Sequence, residues 1–351
     1  MEKVRRSVYL FDFGNHYKQI IHSKELYKTF GEVKVICTKN QKNNYKEFLE
    51  ADCLDVISFS TLFFLFVKAV SSSRFVLLTG PFYTKSLVRF LSSVSIFFVL
   101  LARRCLFKWS VVYVKDINSY TNGSVLDRLS LSLANNIFFE SEALSKIACS
   151  LGVGTKEKNK ASYVYFDQVD SSHKQANYKV DMSPIMDAKK NGCLIVGVIG
   201  QFDTQKRDYQ LLLQSKSEKI FFVQVGRYVT SESNAKAVNE LKGFLNFLQN
   251  DFSNRDLDYV LSHCDVLLSL NSDSAGYDSC KGTAAFGEAI SVRKPLVIPS
   301  FCDKDMEFKS FCFYYTDSQS FSNAIAKSKL FRGTVAFDYF NVERVRQRLL
   351  H

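Results

Sequence analysis

The chain has 351 residues, more than one hydrophobic core usually organises, so two domains are expected. It is 46% hydrophobic and 23% charged, with only four prolines and no repetitive tract, which excludes fibrous, collagenous and largely disordered proteins. The net charge is +11, and it is uneven: residues 1–185 hold 25 Lys+Arg against 16 Asp+Glu, whereas residues 186–351 hold 21 against 19. A basic first half predicts an anionic partner, such as nucleic acid or a phospholipid surface.

The sequence contains no segment long enough to cross a membrane. The longest uncharged apolar run lies between Arg89 and Arg103 and has thirteen residues, whereas a span needs about 20. The nine cysteines are scattered and form no CxxC pair, so neither a zinc ribbon nor a thioredoxin-like site is expected. The first residues, MEKVRRSVYLFDFGN, do not have the pattern of a secretory signal, so none is expected. We therefore expect a cytoplasmic protein with reduced thiols.

The first half alternates short β-rich runs with longer helical patterns. Strands are predicted at 7–13, 32–37, 55–59, 74–79, 109–114, 136–139 and 162–166. The apolar run predicts a helix over 84–104, after the turn signal Gly80-Pro81. Strands that alternate with helices favour a parallel sheet covered by helices on both faces.

The same rhythm restarts after a polar stretch at 171–192, where the domain boundary is expected. Strands are predicted at 193–199, 219–225, 265–270, 295–298 and 311–315, with helices over 206–216, 234–250 and 283–292. The predicted fold class is therefore α/β, with two Rossmann-like domains facing across a cleft. Their expected bounds are 1–185 and 186–330, with a C-terminal helix within 331–351 that can pack back on the first domain.

A first candidate binding motif follows the strand LIVGVI directly. It contains Gly200 and Gln201, with Lys206 six residues after the glycine. The carboxyl end of a parallel strand is where such sheets bind ligands. A glycine permits close backbone approach, and a lysine can neutralise phosphate oxygens. A lysine that opens a surface helix is, however, usually only solvated.

The second candidate motif is Gly282-Thr283-Ala284-Ala285, followed by Glu288. Small residues here predict a helix N-terminus with exposed N–H groups, a geometry that favours a diphosphate. Glu288 lies more than a turn into this helix, where its carboxylate can accept hydrogen bonds from ribose hydroxyls. The alternative interpretation is a capped helix packed on a sheet, with Glu288 solvated.

The second half resembles the nucleotide-sugar domain of GT-B glycosyltransferases, particularly the retaining family 4. The matching features are the Gly200 and Lys206 spacing, a strand that ends in Gly226, the LDYVLSHCDV segment at 257–266, and Glu288-Ala289 followed by Lys294-Pro295. The first half follows the family more faintly. Its matching segments are 78–82, 112–116, 138–142 and 167–170.

The resemblance implies a retaining glycosyltransferase, of hexosyltransferase type, that uses a nucleotide-diphospho-sugar donor. Lys206 and the amides of Thr283–Ala285 would stabilise the departing diphosphate, Glu288 would fix the ribose, and neither a metal nor another cofactor would be required. Three positions depart from the family pattern: Gln201 replaces an arginine, Cys280 replaces a glutamate, and Lys115 replaces the catalytic-side histidine.

The acceptor is expected at the loops that follow the first-half strands. The residues concerned are Gly14, Asn15, His16, Gly80 and Lys115. The expected acceptor is a lipid-linked or oligosaccharide glycan of bacterial surface polysaccharide, such as O-antigen or capsule.

A membrane partner is expected from the basic first half. The residues around the apolar helix are cationic or aromatic: Arg89, Arg103, Arg104, Lys108 and Trp109. They predict peripheral docking on an anionic bilayer, at the inner face of the cytoplasmic membrane.

Three other functions remain open from the sequence. A GT-B-fold sugar-nucleotide epimerase would share the donor, and a non-catalytic partner of another glycosyltransferase subunit would explain Gln201 and Cys280. A nucleic-acid-binding protein would explain the charge, but no recognised module is present, so no nucleic acid partner is expected. No metal-ligand spacing among His and Cys residues is found.

Overall fold

The computed structural model describes residues 7–12, 17–37, 54–56, 62–80, 87–122, 125–161, 178–214, 219–248, 252–273, 276–277 and 281–350. The chain divides into two compact units. The first comprises Met1–Tyr165, Cys280–Gly282 and Val342–His351, and the second comprises Phe166–Ser279 and Thr283–Asn341.

The first unit is built on a seven-stranded parallel sheet. Its strands are β1 Ser7–Phe11, β2 Glu32–Cys37, β3 Leu54–Val56, β4 Arg74–Gly80, β5 Trp109–Val114, β6 Asn136–Phe139 and β7 Asn159–Ala161. The strand order is β3-β2-β1-β4-β5-β6-β7, and every neighbouring pair is parallel. The strand predicted at 162–166 lies outside the described residues, and β7 precedes that position.

Where the connections between these strands are described, they contain helices, as a parallel sheet requires. They are α1 Tyr17–Tyr27, α2 Leu62–Ser71, α3 Leu87–Cys105, α4 Asn118–Thr121, α5 Val125–Leu133 and α6 Glu142–Ser150. The core joins strand residues such as Phe75 and Val112 to the inward faces of α3 and α5, where Leu100 and Leu131 lie. None of the described helices is long and apolar enough to cross a membrane.

The expectation that Arg103 faces a membrane is wrong, because this side chain is fully buried. It lies on the inward face of α3, one turn after the buried Val99. The guanidinium donates to the carbonyls of Ala69 (2.7 Å) and Ser72 (2.9 Å), near the end of α2, where a cation is favoured by the helix dipole. Burial lowers the pKa of Arg103 to about 10.

The other residues of that expected surface differ in exposure. Arg104 is exposed, and the side chain of Arg89 lies outside the described residues. The Nζ of Lys108 donates to the carbonyls of Val70 and Ser71. Trp109 opens β5, with its ring 4.4 Å from the Arg74 guanidinium.

The second unit is a six-stranded parallel sheet flanked by helices. Its strands are β8 Leu194–Ile199, β9 Ile220–Val225, β10 Leu245–Phe247, β11 Val266–Leu268, β12 Leu296–Pro299 and β13 Cys312–Tyr315, in the order β10-β9-β8-β11-β12-β13. Its helices are α7 Ser183–Lys190, α8 Gln210–Gln214, α9 Glu232–Glu240, α10 Asn254–His263, α11 Ala285–Val292 and α12 Ser318–Ser328. The prediction of two parallel α/β domains is confirmed.

The sequence pattern missed one strand. A single helix was expected over 234–250, but α9 ends at Glu240 and β10 follows. Gly243 lies between them with φ +86, a left-handed conformation that favours glycine and stops the helix. The signal was therefore present in the sequence as a glycine just before an apolar run.

Hydrogen-bonding side chains fix where several helices begin. The side chains that accept an N–H from the first helical turn are Ser141, Ser231, Ser253 and Asp317. The last described helix, α13 Val342–Leu350, returns to the first unit. There Arg346 donates to the carbonyl of Glu25, a residue of α1.

Candidate functional site

A cavity of about 140 Å³ lies at the carboxyl end of the second sheet. Strand ends form part of its wall, including Ile199 and Val225, the last residues of β8 and β9. The predicted site residues that line it are Gly200, Thr283, Ala284, Ala285 and Glu288. The structure therefore brings together the two motifs that the sequence places about 80 residues apart.

Glycine is required at two positions beside the cavity. Gly200 has φ +94, and a Cβ there would lie 2.1 Å from the Arg207 Nη2. Gly226 has φ +151, and a Cβ there would lie 2.2 Å from the Gly200 oxygen. The Gly200 turn is held by its own N–H, which donates to the Val225 carbonyl (3.0 Å), and by Gln224, whose Nε2 donates to the Gly200 carbonyl (2.6 Å). This backbone leaves space for a guanidinium directly over Gly200.

Arg207 is the cation on the cavity wall. Its Nε donates to the carbonyl of Gln201 (2.9 Å), and its Nη1 donates to Oδ1 of Asn271 (3.0 Å). The backbones of Arg207 and Asn271 also form an antiparallel bridge, flanked by the bond from Asp208 N to Leu270 O (2.9 Å). Arg207 has no carboxylate partner in an ion pair among the described residues, so its charge is available to an anion.

Lys206, the cation expected at this site, has different surroundings. Its Nζ lies 3.1 Å from Oδ2 of Asp203, and its side chain is half exposed. The cavity wall includes Arg207 but not Lys206. The side chain of Gln201 is exposed, and the contribution of this residue is its carbonyl, which anchors Arg207.

The second motif forms the start of α11 at the cavity. Thr283 Oγ1 accepts a hydrogen bond from the backbone N–H of Ala285 (3.3 Å) and another from Nδ2 of Asn271 (3.3 Å). The first turn of α11 thus presents N–H groups near Arg207, and the helix dipole adds partial positive charge there. Glu288 is half-buried on the same helix and also lines the cavity.

Apolar side chains form the remaining wall of the cavity. Leu257 and Leu261 come from α10, one turn apart, and Tyr277 adds an aromatic ring. Apolar walls with a few convergent polar groups are typical of small-molecule sites. The sequence motifs include Leu257 only within the family segment 257–266, and they do not predict Arg207, Asn271 or Tyr277 as site residues. The available signal for Arg207 was its position next to Lys206.

Two predicted residues of the first unit, Gly80 and Lys115, lie at the carboxyl end of its own sheet. Gly80 ends β4 and is in register with Val114. Lys115 follows β5, and its Nζ lies 3.8 Å from Oε1 of Glu140, with both side chains largely buried. Gly282 donates its N–H to the Lys115 carbonyl (2.9 Å), and a Cβ on Gly282 would lie 2.0 Å from Oε2 of Glu140.

Some expected residues lie outside the described part of the chain. They are Gly14, Asn15 and His16 on the acceptor side, and Cys280 in the second motif. Among the residues that the structure does describe, no group of three or more His, Cys, Asp or Glu side chains could hold a metal ion.

Comparisons with solved structures identify the fold. Alr3699/HepE from Anabaena, in complex with UDP, superposes with a TM-score of 0.66 at 14% identity, over 98% of both chains. A putative UDP-N-acetylglucosamine 2-epimerase from Listeria monocytogenes has a TM-score of 0.60 at 11% identity, over 99% of this chain and 95% of the other. A glycosyltransferase from Rickettsia africae ESF-5 has a TM-score of 0.59 at 11% identity, over 99% and 94%.

These similarities extend over nearly the whole chain and show a two-domain α/β fold of the GT-B type. No protein-family model matches the sequence, and no curated protein matches it. The same fold occurs in a glycosyltransferase and in a putative epimerase. The fold therefore does not identify the reaction, and the function has to be argued from the residues of the site.

Proposed function

We propose that this protein is a glycosyltransferase that transfers a sugar, with retention, from a nucleotide-diphospho-sugar to a glycan acceptor. The observation that carries the proposal is the cavity, where Arg207 and the start of α11 lie together on the wall. Among the described residues, Arg207 forms no ion pair with a carboxylate. This arrangement suits a diphosphate. The UDP in the Anabaena structure of the same fold supports a nucleoside diphosphate as the ligand.

In the proposed reaction, the bond between the anomeric carbon and the diphosphate oxygen breaks, and its electron pair stays on the diphosphate. The acceptor hydroxyl forms the new bond to the anomeric carbon on the face from which the diphosphate departs, and its proton passes to the departing diphosphate oxygen. Arg207 and the first N–H groups of α11 stabilise the negative charge that develops on the leaving group. Arg207 thus takes the role that the sequence assigned to Lys206, and Glu288 holds the ribose.

An epimerase is the second candidate, because a putative UDP-N-acetylglucosamine 2-epimerase shares the fold. It would use the same donor site without an acceptor. A non-catalytic partner subunit, the third possibility raised by Gln201 and Cys280, would bind donor weakly and turn nothing over.

The experiment is to incubate the purified protein with a set of nucleotide-sugars and follow both the released nucleoside diphosphate and isomerised donor. Transferase activity predicts nucleoside diphosphate release that rises when acceptor glycans are added. Epimerase activity predicts a donor isomer without acceptor, and a partner subunit predicts neither product. Glu288→Gln should weaken donor binding. An unchanged donor affinity with a lower melting temperature would assign Glu288 a structural role instead.

We further propose a lipid-linked acceptor and peripheral attachment to an anionic membrane, on the cytoplasmic side, as in bacterial surface polysaccharide synthesis. The support is the outer face of α3 and α5. The exposed apolar residues there are Phe90, Phe98, Leu101, Leu106, Phe107, Val125 and Leu129. On α3 the first three of these lie within one stripe, at positions i, i+8 and i+11.

The charges of this outer face complement an anionic bilayer. Arg104 and Arg128 are exposed among the apolar side chains. The sequence of α3 contains no acidic residue, and the one acidic residue of α5, Asp127, is buried. Apolar side chains interspersed with cations are typical of surfaces that lie in a membrane interface.

Liposome sedimentation tests the membrane proposal. Binding should rise with anionic lipid and fall with salt. Phe107→Asn should reduce it, because Phe107 is 98% exposed, and should not unfold the protein, because asparagine tolerates the φ of +52 at this position. Leu330→Ser, at a 73% exposed position of the second unit, is the matched control. Equal binding by both variants and by the wild type would contradict the assigned face.

A further inference from the structure

Asn271 contacts two groups of the cavity wall without lining the cavity itself. It follows β11 and is 4% exposed. Its Oδ1 accepts a hydrogen bond from Arg207 Nη1 (3.0 Å), and its Nδ2 donates to Thr283 Oγ1 (3.3 Å). A guanidinium has no acceptor, so the amide oxygen must face Arg207 and the amide nitrogen must face Thr283.

The orientation of this amide decides which way the Thr283 hydroxyl points. A hydroxyl group has one proton and two acceptor lone pairs. Thr283 Oγ1 accepts from Asn271 Nδ2 and from the N–H of Ala285, so both lone pairs are used. No acceptor for the hydroxyl proton occurs among the described residues, and Thr283 lines the cavity. The remaining direction for the O–H bond is therefore into the cavity.

The same amide leaves the charge of Arg207 uncompensated. Its oxygen is a neutral acceptor, which holds the guanidinium in place without cancelling its charge. A carboxylate of the same shape would form an ion pair with Arg207. It would also accept the Thr283 proton, since an ionised carboxylate has no donor. Both changes would remove a donor from the cavity.

We infer that Asn271 is a positioning residue that gives the diphosphate subsite its donor-only character. It fixes Arg207 as an uncompensated cation and turns the Thr283 hydroxyl proton toward a diphosphate oxygen. The inference rests on the proposed function for the identity of the ligand. Asn271 touches no ligand and acts through Arg207 and Thr283. Its Nδ2 also donates to Sγ of Cys302 (3.6 Å), which does not line the cavity.

The test compares Asn271→Asp with Asn271→Ala by titration calorimetry with UDP and with uridine. Asn271→Asp should weaken UDP binding about 10- to 100-fold, because it neutralises Arg207 and reverses Thr283. Asn271→Ala should weaken it less, since the charge of Arg207 remains. Uridine binding should change by less than about threefold in both variants, because uridine carries no phosphate.

A merely structural role predicts the opposite order. Aspartate keeps the shape of the amide and can still bond to Arg207 and Thr283, whereas alanine leaves a gap, so alanine would then be the more damaging substitution. UDP affinity in Asn271→Asp that equals or exceeds that of Asn271→Ala would overturn the inference.

The Thr283 hydroxyl provides a second measurement that does not depend on the stability of the Asn271 variants. Thr283→Val keeps the shape and removes the proton, so it should weaken UDP binding but not uridine binding, and Thr283→Ser should restore it. In the Asn271→Asp background, Thr283→Val should lower UDP affinity by less than it does in the wild type, because the hydroxyl proton already points away from the cavity. Additive losses would contradict the coupling.

The outcomes also separate this inference from the proposed function. If the wild type binds UDP and Asn271→Asp binds it with equal affinity, the role of Asn271 is refuted and the proposed donor site is unaffected. A wild-type protein that binds neither UDP nor any other nucleoside diphosphate would overturn both.

Discussion

Arg103 in the first unit and Arg207 in the second show two ways of holding an arginine inside an α/β domain. Arg103 is fully buried, and its donors are used by the carbonyls at the end of α2, by Trp109 O and by the hydroxyls of Ser72 and Ser110. Arg207 is half-buried and donates to two oxygens among the described residues, while its Nη2 lies over the glycine at the cavity.

The difference indicates which arginine serves the fold and which serves a ligand. A guanidinium has five N–H donors, and every donor satisfied by the protein is lost to a substrate. Arg103 ties α2, α3 and β5 together, so its removal should affect stability. Arg207 keeps donors and charge for an anion, so its removal should affect binding.

Replacing Arg103 should have the largest effect on stability. Arg103→Met leaves several buried carbonyls without a donor, and we expect the free energy of unfolding to fall by about 3–5 kcal/mol. Urea unfolding measures this change. The exposed neighbour provides the control, since Arg104→Met should change the value by less than about 0.5 kcal/mol. Similar losses in the two variants would remove the distinction between the buried and the exposed arginine.

Replacing Arg207 should separate binding from stability. Arg207→Met should weaken UDP binding about 10- to 100-fold, because hydrogen bonds to a charged group contribute roughly 1.5–3 kcal/mol. The free energy of unfolding should change by less than about 1 kcal/mol. Calorimetry with UDP and urea unfolding of the same preparation measure both. A variant that unfolds readily but binds UDP normally when folded would show that Arg207, like Arg103, stabilises the fold and does not bind the ligand.

A buried histidine of the first unit, His22 in α1, should make stability depend on pH. Burial, together with nearby Lys18, lowers the pKa of His22 from 6.5 to about 3. The unfolded chain therefore binds a proton that the folded chain does not, and stability falls as the pH falls below about 6.5. Between pH 7 and pH 5 the loss from this group should be about 2 kcal/mol. His22→Gln should reduce this pH dependence, and urea unfolding at both pH values checks it.

Lys206 should give the smallest effect. It forms a half-exposed ion pair with Asp203, and such pairs contribute about 0–1 kcal/mol. Lys206→Ala should change UDP affinity less than about threefold, in contrast to Arg207→Met. A loss of UDP affinity as large as that of Arg207→Met would indicate that Lys206 binds the diphosphate, as the sequence motif suggests.

The alternation of strands and helices could be predicted from the sequence because it depends on local patterns. Trp109–Val114 and Asn136–Phe139 are strands with the predicted bounds, since each is a short apolar run bordered by polar residues. The strand Leu245–Phe247 is not predicted, because the residues from 234 to 250 have the pattern of a single helix. The end of that helix depends on the left-handed conformation of Gly243.

The roles of neighbouring cations could not be predicted in the same way. Arg103 and Arg104 are adjacent, yet the helix turns one inward and the other outward. Lys206 and Arg207 are also adjacent, and the bridge between Arg207 and Asn271 decides which of them reaches the cavity. That bridge joins residues 64 positions apart, so local sequence patterns do not contain it.

The return of α13 to the first unit has a consequence for the order of synthesis. Arg346 meets Glu25 across 321 positions of the chain. A ribosome makes the first sheet, then the second unit, and only then the helix that contacts α1. The unit synthesised first is therefore finished last, and the part of α1 that α13 contacts stays open to other contacts until residue 350 has been made. A pulse of protease during translation should cleave at this surface of α1 in chains that already contain a complete second sheet.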